Sequence, residues 1–459
     1  MLRTHKLSEV NESIATQNVE LCGWIDSIRV MKNLIFIVLR DRYGKVQCIV
    51  PKSVENFESF KELTMESSIK ISGVVNMRPE NQYNEDMASG KIEVKATAIE
   101  TFNVAPVMPL DLKNENNDED TRLKNRFLDL RTDKMQRNLK LRSDIMFSIL
   151  DYFRKQDFAY IETPILGKST PEGARDFVVP SRKHPGEFYA LPQSPQLFKQ
   201  LSQVAGFDRY IQVARCFRDE DSRKDRQPEF TQIDLEMSFV EQEDIITMIE
   251  GMVAQVFKET KGIELKVPFP RITYEESMKK YGRDNPDTRP DTNEEFSFCW
   301  VVDFPGFEYN EEDDRYKAVH HPFTQPVLDE NGDFNEKSLS LGYDLVLNGS
   351  EIGGGSIRIH NDKIQSKVFD ILKISKEEAD EKFGFLLKAL AYGAPPHGGF
   401  AFGLDRLAQI LAGEDSIREV IAFPKNKDAC DLMLDAPSPL SKEQLDEVSL
   451  DVKVEEKKE

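Results

Sequence analysis

The stretch FRDEDSRKDRQPEFTQIDLEMSF, residues 217–239, contains the segment on which the fold prediction rests. It ends in TQIDLEM (231–237), where polar and apolar residues alternate. Successive side chains of a β-strand point to opposite faces, so Gln232, Asp234 and Glu236 share one face. The apolar residues that alternate with them share the other face. The segment therefore predicts a strand that packs one face on a core and presents carboxylates on the other.

Two further stretches show the same alternation, SIRIH (356–360) and IQVARCFRDE (211–220). One such strand is ordinary, because many sheets have a solvated face. Three strands that carry opposite charges instead predict a polar floor, with arginines for anions and carboxylates for cations or Mg²⁺. The polar residues that share parity are Ser356, Arg358 and His360 in the first stretch and Gln212, Arg218 and Glu220 in the second.

The composition is that of a globular protein with two or three domains, since 31% of the 459 residues are charged and 39% are apolar. No apolar run has membrane-spanning length, and the N-terminus MLRTHKLSEV lacks signal-peptide and transit-peptide features. We therefore expect a cytoplasmic protein without a membrane partner. The five cysteines are scattered and form no CxxC pair, which disfavours a zinc ribbon or a disulfide framework.

The net charge of -20 argues weakly against a nucleic-acid partner. The charge is unevenly distributed, because residues 1–100 contain 13 Lys and Arg against 14 Asp and Glu. A near-neutral N-terminal region leaves room for a local basic or neutral binding face.

The chain divides into segments of different character. Residues 1–104 contain several short strands with turn signals and predict a small closed barrel, of which the OB-fold is one kind. Residues 105–133 read as a polar linker with Pro106 and Pro109. A long helix is predicted from about Lys134 to Gln156, and strands and helices then alternate up to about residue 436. Residues 437–459 form a charged tail. The predicted class is α+β.

A strand is also predicted for YDLVLN, with Asp344 and Glu351 near its ends and Gly353, Gly354 and Gly355 after it. Mg²⁺ is held in proteins by one or two carboxylates together with phosphates. Glycines let a nucleotide approach the backbone, although a bulge or a flexible turn explains them equally well. The pair of carboxylates is thus a candidate metal site beside a nucleotide.

Three segments resemble the signature motifs of class II aminoacyl-tRNA synthetases. Each motif is degenerate alone, and their order and spacing make the combination specific. They are FAYIETPIL (158–166) for motif 1, which forms the dimer interface, FRDE with RQPEF (217–220 and 226–230) for motif 2, and GLDRL (403–407) for motif 3.

Longer matches resemble the bacterial type of aspartyl-tRNA synthetase and cover nearly the whole chain except the tail. They are RFLDLR (126–131), TPEGARDF (170–177), ALPQSPQLFKQ (190–200), FRDEDSRKDRQPEFTQIDLEMSF (217–239), HHPFT (320–324), GSEIGGGSIRIH (349–360) and PPHGGFAFGLDR (395–406).

The resemblance implies an OB-fold anticodon-binding domain at 1–104, a hinge at 105–133, and a class II catalytic domain at 134–436 with an antiparallel sheet. It further implies a homodimer that uses ATP and Mg²⁺ to activate L-aspartate as aspartyl-adenylate. The product would then be transferred to the 3′ end of tRNA(Asp).

Site residues also follow from the resemblance. The implied catalytic residues are Arg218, Glu220 and Arg406. Those implied to bind aspartate are Glu172, Gln196, Lys199, Arg218, Asp234, His320 and Arg358. Those implied to bind ATP are Arg218, Asp219, Glu220, Gln227, Glu351, Gly403, Leu404, Asp405 and Arg406. Those implied to hold the metal are Asp344 and Glu351. Those implied to contact the anticodon are Arg29, Phe36 and Gln47.

Specificity for aspartate has a physical explanation in this set. Lys199 and Arg358 would converge on the side-chain carboxylate, and Asp234 would orient Lys199. Two cations facing a neutral amide leave charge unpaired, so such a site rejects asparagine by roughly 10⁴ or more. In the N-terminal region Phe36 would stack on an anticodon base, and a plain core phenylalanine is the alternative.

The sequence departs from the family in three places. Bacterial members usually have a large insertion between motifs 2 and 3, and here only PDTNEEFSFC (290–299) separates Arg289 from Trp300. In motif 1, Asp157 occupies a position where the family often has glycine, so the geometry of the turn at this position is in question. Val30 stands where an acidic residue is frequent, which questions the detail of anticodon reading.

Three other functions are compatible with parts of this pattern. A non-discriminating enzyme would charge both tRNA(Asp) and tRNA(Asn), and its amino-acid pocket would be identical. A synthetase-like paralogue would bind RNA without catalysing, but the charged motif residues and the barrel are all present. An ammonia-dependent asparagine synthetase would have no use for the barrel.

Overall fold

The computed structural model describes residues 1–114, 116–169, 173–312 and 314–453. The chain separates into two compact units, Met1–Asn117 and Asp118–Glu459. Within the described ranges, no helix has both the length and the apolar composition needed to cross a bilayer.

The N-terminal unit is a closed five-stranded barrel with the strand order β1-β2-β3-β5-β4. Neighbouring strands are antiparallel except for β3 and β5. Alternate residues of β2, such as Ile35 and Ile37, are fully buried in the barrel core, while Phe36 between them is half-buried on the outer face. The strands are β1 (Asn18–Val30), β2 (Leu34–Arg40), β3 (Lys45–Pro51), β4 (Ser68–Met77) and β5 (Ile92–Asn103).

The predicted barrel is confirmed, and a hairpin turn joins β2 to β3. The Asp41 carboxylate fixes this turn by accepting hydrogen bonds from the backbone N–H groups of Tyr43 and Gly44 at 2.7 and 3.0 Å. An Asp side chain that bonds the backbone two and three residues on is a common device for reversing the chain.

The C-terminal unit is built on an eight-stranded sheet with the order β11-β12-β15-β16-β17-β10-β9-β6. The six strands from β12 to β9 pair antiparallel, and the two outermost strands pair parallel to their neighbours. The strands are β6 (Ala159–Tyr160), β9 (Arg209–Phe217), β10 (Glu229–Ser238), β11 (Arg271–Thr273), β12 (Phe298–Val302), β15 (Gly342–Leu347), β16 (Ser350–Ile357) and β17 (His397–Gly403).

Among the described residues, two hairpins lie outside this sheet, and helices pack on both of its faces. The hairpins are β7 (Val178–Pro180) with β8 (Phe188–Ala190), and β13 (Phe307–Asn310) with β14 (Arg315–Ala318). The helices are α1 (Glu119–Lys124), α2 (Arg126–Asp129), α3 (Asp133–Lys155), α4 (Gln196–Val204), α5 (Gln242–Lys261), α6 (Tyr274–Tyr281), α7 (Arg289–Thr292), α8 (Asp362–Ile371), α9 (Lys376–Leu390), α10 (Leu404–Ala412) and α11 (Lys442–Glu447).

Helix α3 agrees with the predicted helix to within one residue at each end. The Thr132 hydroxyl caps its N-terminus by accepting a hydrogen bond from Met135 N. Its buried face carries Ile145, Ile149 and Phe153 into the largest core cluster. That cluster also contains the apolar face of β10, so the sheet and α3 share one core.

Two details of the predicted strands are wrong. Strand β9 ends at Phe217, so Arg218 and Glu220 lie in the loop before β10 and not on the strand face. The Arg218 N–H still donates to Pro228 O at 2.9 Å, but the ladder ends there because Pro228 has no N–H to donate in return. In addition, Glu351 belongs to the next strand, β16, which also contains the three glycines. A bulge at Ile352 is present, since Leu345 pairs with Gly353 and Val346 with Glu351.

The short segment before β12 contains helix α7 and then a turn at Asn293, whose φ is 55°. The Asn348 side chain, between β15 and β16, accepts from Ser297 N at 2.8 Å and donates to Glu295 O at 2.9 Å. The segment is therefore attached to the β15–β16 turn. At Asp157, immediately after α3, φ is 65°, the left-handed conformation that glycine adopts most easily.

Candidate active site

The polar face of the sheet forms a trough whose floor consists of small residues. Strand pairing places Asp234 of β10 beside Ala401 of β17, Ala401 beside Gly354 of β16, and Gly354 beside Asp344 of β15. Neighbouring strands lie about 4.8 Å apart, so carboxylates on β10 and β15 flank a gap of three strand spacings. The residues between them have side chains no larger than a methyl group.

Glycines keep the trough open beside the carboxylates. A Cβ on Gly399 would lie 1.9 Å from Glu236 Oε2, and a Cβ on Gly354 would lie 2.2 Å from Asp344 Oδ1. Any side chain at these positions would displace the carboxylates. The trough can therefore take a ligand only because β16 and β17 have no side chains there.

At the β10 side of the trough, Lys199 of α4 meets both carboxylates of the strand. Lys199 Nζ lies 3.1 Å from Asp234 Oδ1 and 3.5 Å from Glu236 Oε2. All three side chains are almost fully buried. Burial raises the pKa of Asp234, although Lys199 acts against this effect. The second oxygen of Asp234, Oδ2, has no hydrogen-bond partner among the described residues.

Arg358, directly after β16, completes this pocket. Its guanidinium donates to Glu236 at 2.9 and 3.2 Å, to the Ser356 hydroxyl at 2.6 Å and to His321 Nε2 at 2.7 Å. Burial acts to raise the pKa of Glu236, but Arg358 and Lys199 outweigh it and hold this pKa below its ordinary value. Burial and the charge of Arg358 lower the pKa of His321 well below its usual range, so its ring is neutral. The pocket thus contains two cations and two carboxylates in a dry environment.

A second pocket of about 270 Å³ opens beyond the ends of β10 and β17. The Arg218 guanidinium lies over the Phe230 ring, 5.0 Å from its centroid. Arg406 donates from Nη1 to Glu351 O at 2.5 Å, and Arg226 lies 3.0 Å from Glu220. Arginines that face a cavity lined by Gly353 and Gly403 suit a ligand with several negative charges.

Glu351 lines the second pocket, and its carboxylate is influenced by Asp344 on the β15 side of the trough. The negative charge of Asp344, followed by burial, raises the pKa of Glu351 to about 7. His320 Nε2 lies 3.4 Å from Asp344 Oδ1. In the part of the chain that the structure describes, no group of three or more His, Cys, Asp or Glu side chains could hold a metal by itself. Two mutually repelling carboxylates do fit Mg²⁺, which takes one or two carboxylates and completes its shell with water and phosphate.

The structure brings most of the predicted site residues to these pockets, but not all. Leu404 is buried in the core, whereas Asp405 lines the second pocket and also contacts Arg142 and Thr231. Gln227 also lines the second pocket, but its amide donates to Lys425 O at 3.0 Å and accepts from Lys425 N at 2.7 Å. Asp219 lines a neighbouring cavity with Glu220. Glu172 lies outside the described residues.

Around Lys199 and Arg358, three further residues have no role among the site residues implied by the resemblance. Glu236 was placed on the right face, and its parity with Asp234 was the available signal. His321 contacts Arg358. Gln200 joins Gln196 to His397, with distances of 3.1 Å on each side. Only the fold brings Gln200 and His397 together, because they are 197 positions apart.

On the barrel, the three residues predicted to contact an anticodon share the outer face. Arg29 pairs with Phe36 across β1 and β2, and Gln47 pairs with Val38 across β2 and β3. Arg29 is exposed, and Phe36 and Gln47 are half-buried. Gln47 Nε2 donates to Glu93 at 3.3 Å. The face combines an aromatic ring with a cation and an amide, as a single-stranded nucleic-acid platform requires.

Two family models match the chain and together cover most of it. Residues 118–427 match the model of class II tRNA synthetases (D, K and N). Residues 19–102 match the model of OB-fold nucleic-acid-binding domains.

Curated relatives align over the whole chain. The chain is 42% identical to the aspartate–tRNA(Asp/Asn) ligase of Thermotoga maritima, covering 99% of this chain and all of the relative. It is 41% identical to the aspartate–tRNA ligase of Enterococcus faecalis, covering 98% and 99% of the two chains. Each alignment extends over 581 positions against 459 residues here, so more than a hundred positions have no counterpart in this chain.

Among solved structures, the asparaginyl-tRNA synthetase of Pyrococcus horikoshii in complex with asparaginyl-adenylate superposes with a TM-score of 0.77. The match covers 92% of this chain and 98% of that one at 24% identity, so it shows a shared fold.

Proposed function

Since the chain belongs to the aspartate–tRNA ligase family of class II aminoacyl-tRNA synthetases, we propose that its trough activates L-aspartate with ATP and passes the aspartyl group to tRNA. The observation that carries this proposal is the buried pair of cations, Lys199 and Arg358, beside a second, arginine-lined pocket. The first pocket suits a small anionic side chain, and the second pocket suits a nucleoside triphosphate.

In the proposed reaction an α-carboxylate oxygen of aspartate attacks the α-phosphorus of ATP. The bond from this phosphorus to the bridging oxygen breaks, and pyrophosphate leaves with the electron pair. Arg218 would hold both the α-carboxylate and the α-phosphate, which brings the reacting atoms together. Arg406 would pair with the far phosphates, and Glu220 would contact the nucleotide. Cations fixed before the reaction stabilise the charge that develops on the phosphate.

Mg²⁺ is proposed at Asp344 and Glu351, where it would neutralise phosphate charge when ATP is bound. Asp344 and Glu351 repel each other strongly enough to raise the pKa of Glu351 to about 7, and a divalent cation relieves that repulsion. His320, beside Asp344, would cover the substrate. Glu172 is proposed to face its ammonium group on grounds of the family resemblance alone.

Selection of aspartate is proposed to depend on Lys199 and Arg358. Both are held by carboxylates of β10, so their positions are fixed before the substrate enters. A substrate carboxylate can pair with both cations, whereas the neutral amide of asparagine cannot. Gln196 would help to position the substrate at the start of α4.

The barrel is proposed to bind the tRNA anticodon with Arg29, Phe36 and Gln47. We propose domain limits of 1–104 for the anticodon domain, 105–133 for the hinge, 134–436 for the catalytic domain and 437–459 for the tail. We also propose a homodimer in the cytoplasm. Four exposed apolar side chains of α3 and the motif 1 segment support the dimer: Phe147, Tyr160, Ile165 and Leu166.

ATP–pyrophosphate exchange without tRNA tests the activation step. L-Aspartate, L-asparagine and L-lysine are compared at equal concentrations. Exchange with aspartate alone is the expected result. Exchange with asparagine or lysine would refute the proposed pocket, and no exchange with any of them would favour an inactive RNA-binding paralogue.

A second candidate is a non-discriminating enzyme that also charges tRNA(Asn). The name of the Thermotoga maritima relative, a tRNA(Asp/Asn) ligase, favours it. The test is aspartylation of tRNA(Asp) and tRNA(Asn) transcripts at equal concentrations. Similar kcat/KM values identify a non-discriminating enzyme, and a preference of more than about a hundredfold for tRNA(Asp) identifies a discriminating one.

A further inference from the structure

Arg142 of α3 does not line the proposed nucleotide pocket, but it contacts two residues that do, Asp405 and Thr231. Its Nε and Nη2 donate to Asp405 Oδ1 at 2.9 and 2.8 Å, and Nη2 also donates to the Thr231 hydroxyl at 3.2 Å. The other oxygen of Asp405, Oδ2, accepts from Thr231 N at 3.0 Å. Helix α3, strand β10 and helix α10 thus meet at one group of three side chains.

This group of three side chains lies where β10 and β17 stop pairing. β10 pairs with β17 up to the pair Gln232–Gly403, and the chain then turns into α10. The next residue of β10, Thr231, still pairs with β9 but has no partner on β17, and the Asp405 carboxylate accepts its N–H instead. Asp405 therefore continues the hydrogen bonding of β10 and ties the first turn of α10 to it.

Thr231 and Asp405 line the proposed nucleotide pocket, and their neighbours along the chain hold its arginines. Phe230, which precedes Thr231, carries the Arg218 guanidinium on its ring, and Arg406 follows Asp405. Thr231 and Asp405 are almost fully buried. A small shift of α10 against β10 would move Arg406 relative to Arg218, and such shifts strongly affect reactions that depend on alignment.

We propose that Arg142 is a positioning residue of the activation step, which holds Asp405 and Thr231 so that Arg406 and Arg218 face the same nucleotide. This inference rests on the proposed function. Arg142 supplies the cationic partner of a buried carboxylate, and it is the basic side chain that forms an ion pair with Asp405 among the described residues. Without it, Asp405 retains the Thr231 N–H but lacks a counter-charge, and the first turn of α10 is released.

The test is the Arg142→Gln variant of the full chain in ATP–pyrophosphate exchange. We expect kcat to fall about 10- to 100-fold and KM for ATP to rise, with KM for aspartate unchanged, because only the nucleotide pocket adjoins Asp405. A merely structural role would lower the melting temperature without this split between the two KM values. The matched control is Arg215→Gln, since Arg215 also donates to the Thr231 hydroxyl at 3.2 Å but does not touch Asp405.

Calorimetric ATP binding and the milder Arg142→Lys variant complete the test. Lys keeps the charge but cannot reach both partners, so intermediate kcat and ATP affinity are expected. Wild-type kinetics in a folded Arg142→Gln protein, or an equal loss in Arg215→Gln, would overturn the inference. If Arg142→Gln does not fold, wild-type kcat and ATP affinity in Arg142→Lys would overturn it. A wild-type protein with neither exchange nor ATP binding would instead refute the proposed function, and this inference with it.

Discussion

The guanidinium of Arg358 donates two hydrogen bonds to the carboxylate of Glu236, from Nε to Oε1 at 2.9 Å and from Nη2 to Oε2 at 3.2 Å. Both side chains are buried. Glu236 also lies 3.5 Å from Lys199, so a single carboxylate restrains both cations of the proposed aspartate pocket. The Glu236 carboxylate therefore holds Lys199 and Arg358 in position before any ligand is present.

The Glu236→Gln variant should be strongly destabilised. Removing one partner of a buried pair leaves a charge without compensation, which costs about 3–5 kcal/mol of unfolding free energy. Urea denaturation measures this loss. The pKa of Glu236 is lowered in the folded protein, so its contribution is present above the ordinary value of 4.5 and is lost as the pH falls below it. The difference between the two proteins should shrink in that acidic range.

Glu229→Gln is the control for this prediction. Glu229 is on the same strand and pairs with Arg215 and Lys425, but all three side chains are partly solvent-accessible. The variant should lose less than about 1 kcal/mol. Similar losses in both variants would show that burial of the Arg358–Glu236 pair does not matter.

Lys199→Gln should reduce the preference for aspartate over asparagine. The variant removes one of the two cations that meet the side-chain carboxylate, while the glutamine amide can still bond to an asparagine side chain. We expect the ratio of kcat/KM values in pyrophosphate exchange to fall at least about 100-fold. The control is Lys258→Gln, an exposed lysine paired with Glu264, which should keep the wild-type ratio. An unchanged ratio in Lys199→Gln would remove this residue from substrate selection.

Mg²⁺ binding should be linked to proton release near neutral pH. The pKa of Glu351 is about 7 in the folded protein and 4.5 ordinarily, so its contribution to stability is full below 4.5 and is lost as the pH rises through 7. A bound cation favours the ionised form, and Mg²⁺ affinity should rise through the same range. Calorimetry in two buffers of different ionisation heat should detect proton release at about pH 6.

The same titration at about pH 8.5 should release almost no proton, because Glu351 is then already ionised. Glu351→Gln should release none at either pH. Equal release at both pH values would assign the proton to another group.

Phe36→Ala should weaken tRNA aspartylation and leave amino-acid activation unchanged. Loss of one stacked base costs about 1–3 kcal/mol of binding, which raises KM for tRNA roughly 5- to 150-fold. The melting temperature should change little, because Phe36 is on the outer face of the barrel. Ile37→Ala is the matched control, since Ile37 is fully buried and should cost about 2–5 kcal/mol of stability. A similar loss of stability in Phe36→Ala would mark it as a core residue.

Asp157→Gly should stabilise the catalytic unit. Asp157 has a φ of 65°, where a Cβ is disfavoured and glycine is not. The expected gain is about 0.5–1 kcal/mol in unfolding free energy, measured by urea denaturation. Gln156→Gly, one residue earlier with a φ of -95°, should give no gain. A loss of stability in Asp157→Gly would mean that the aspartate side chain makes a stabilising contact.

The sequence by itself determined the architecture and which carboxylates of β10 face the trough. Alternation in residues 231–237 placed Asp234 and Glu236 on one face and the core residues on the other, because side-chain direction along a strand is fixed by the backbone. Helical spacing located α3 to within one residue, and the motifs indicated the family. These features depend on residues that are close together in the sequence, so they can be predicted from the sequence alone.

The tertiary structure decided which charges meet. Glu236 and Arg358 are separated by 122 positions, and Arg142 and Asp405 by 263. Their pairing depends on strand register, on the strand pairing that stops at Pro228, and on helix packing, none of which is local. Strand parity could show that Glu236 faces the trough. Only the packing of α4 on β10, and the strand order that places the end of β16 one strand beyond β17, determined that one carboxylate would restrain two cations. Buried charges take whichever partners the fold brings within hydrogen-bonding distance.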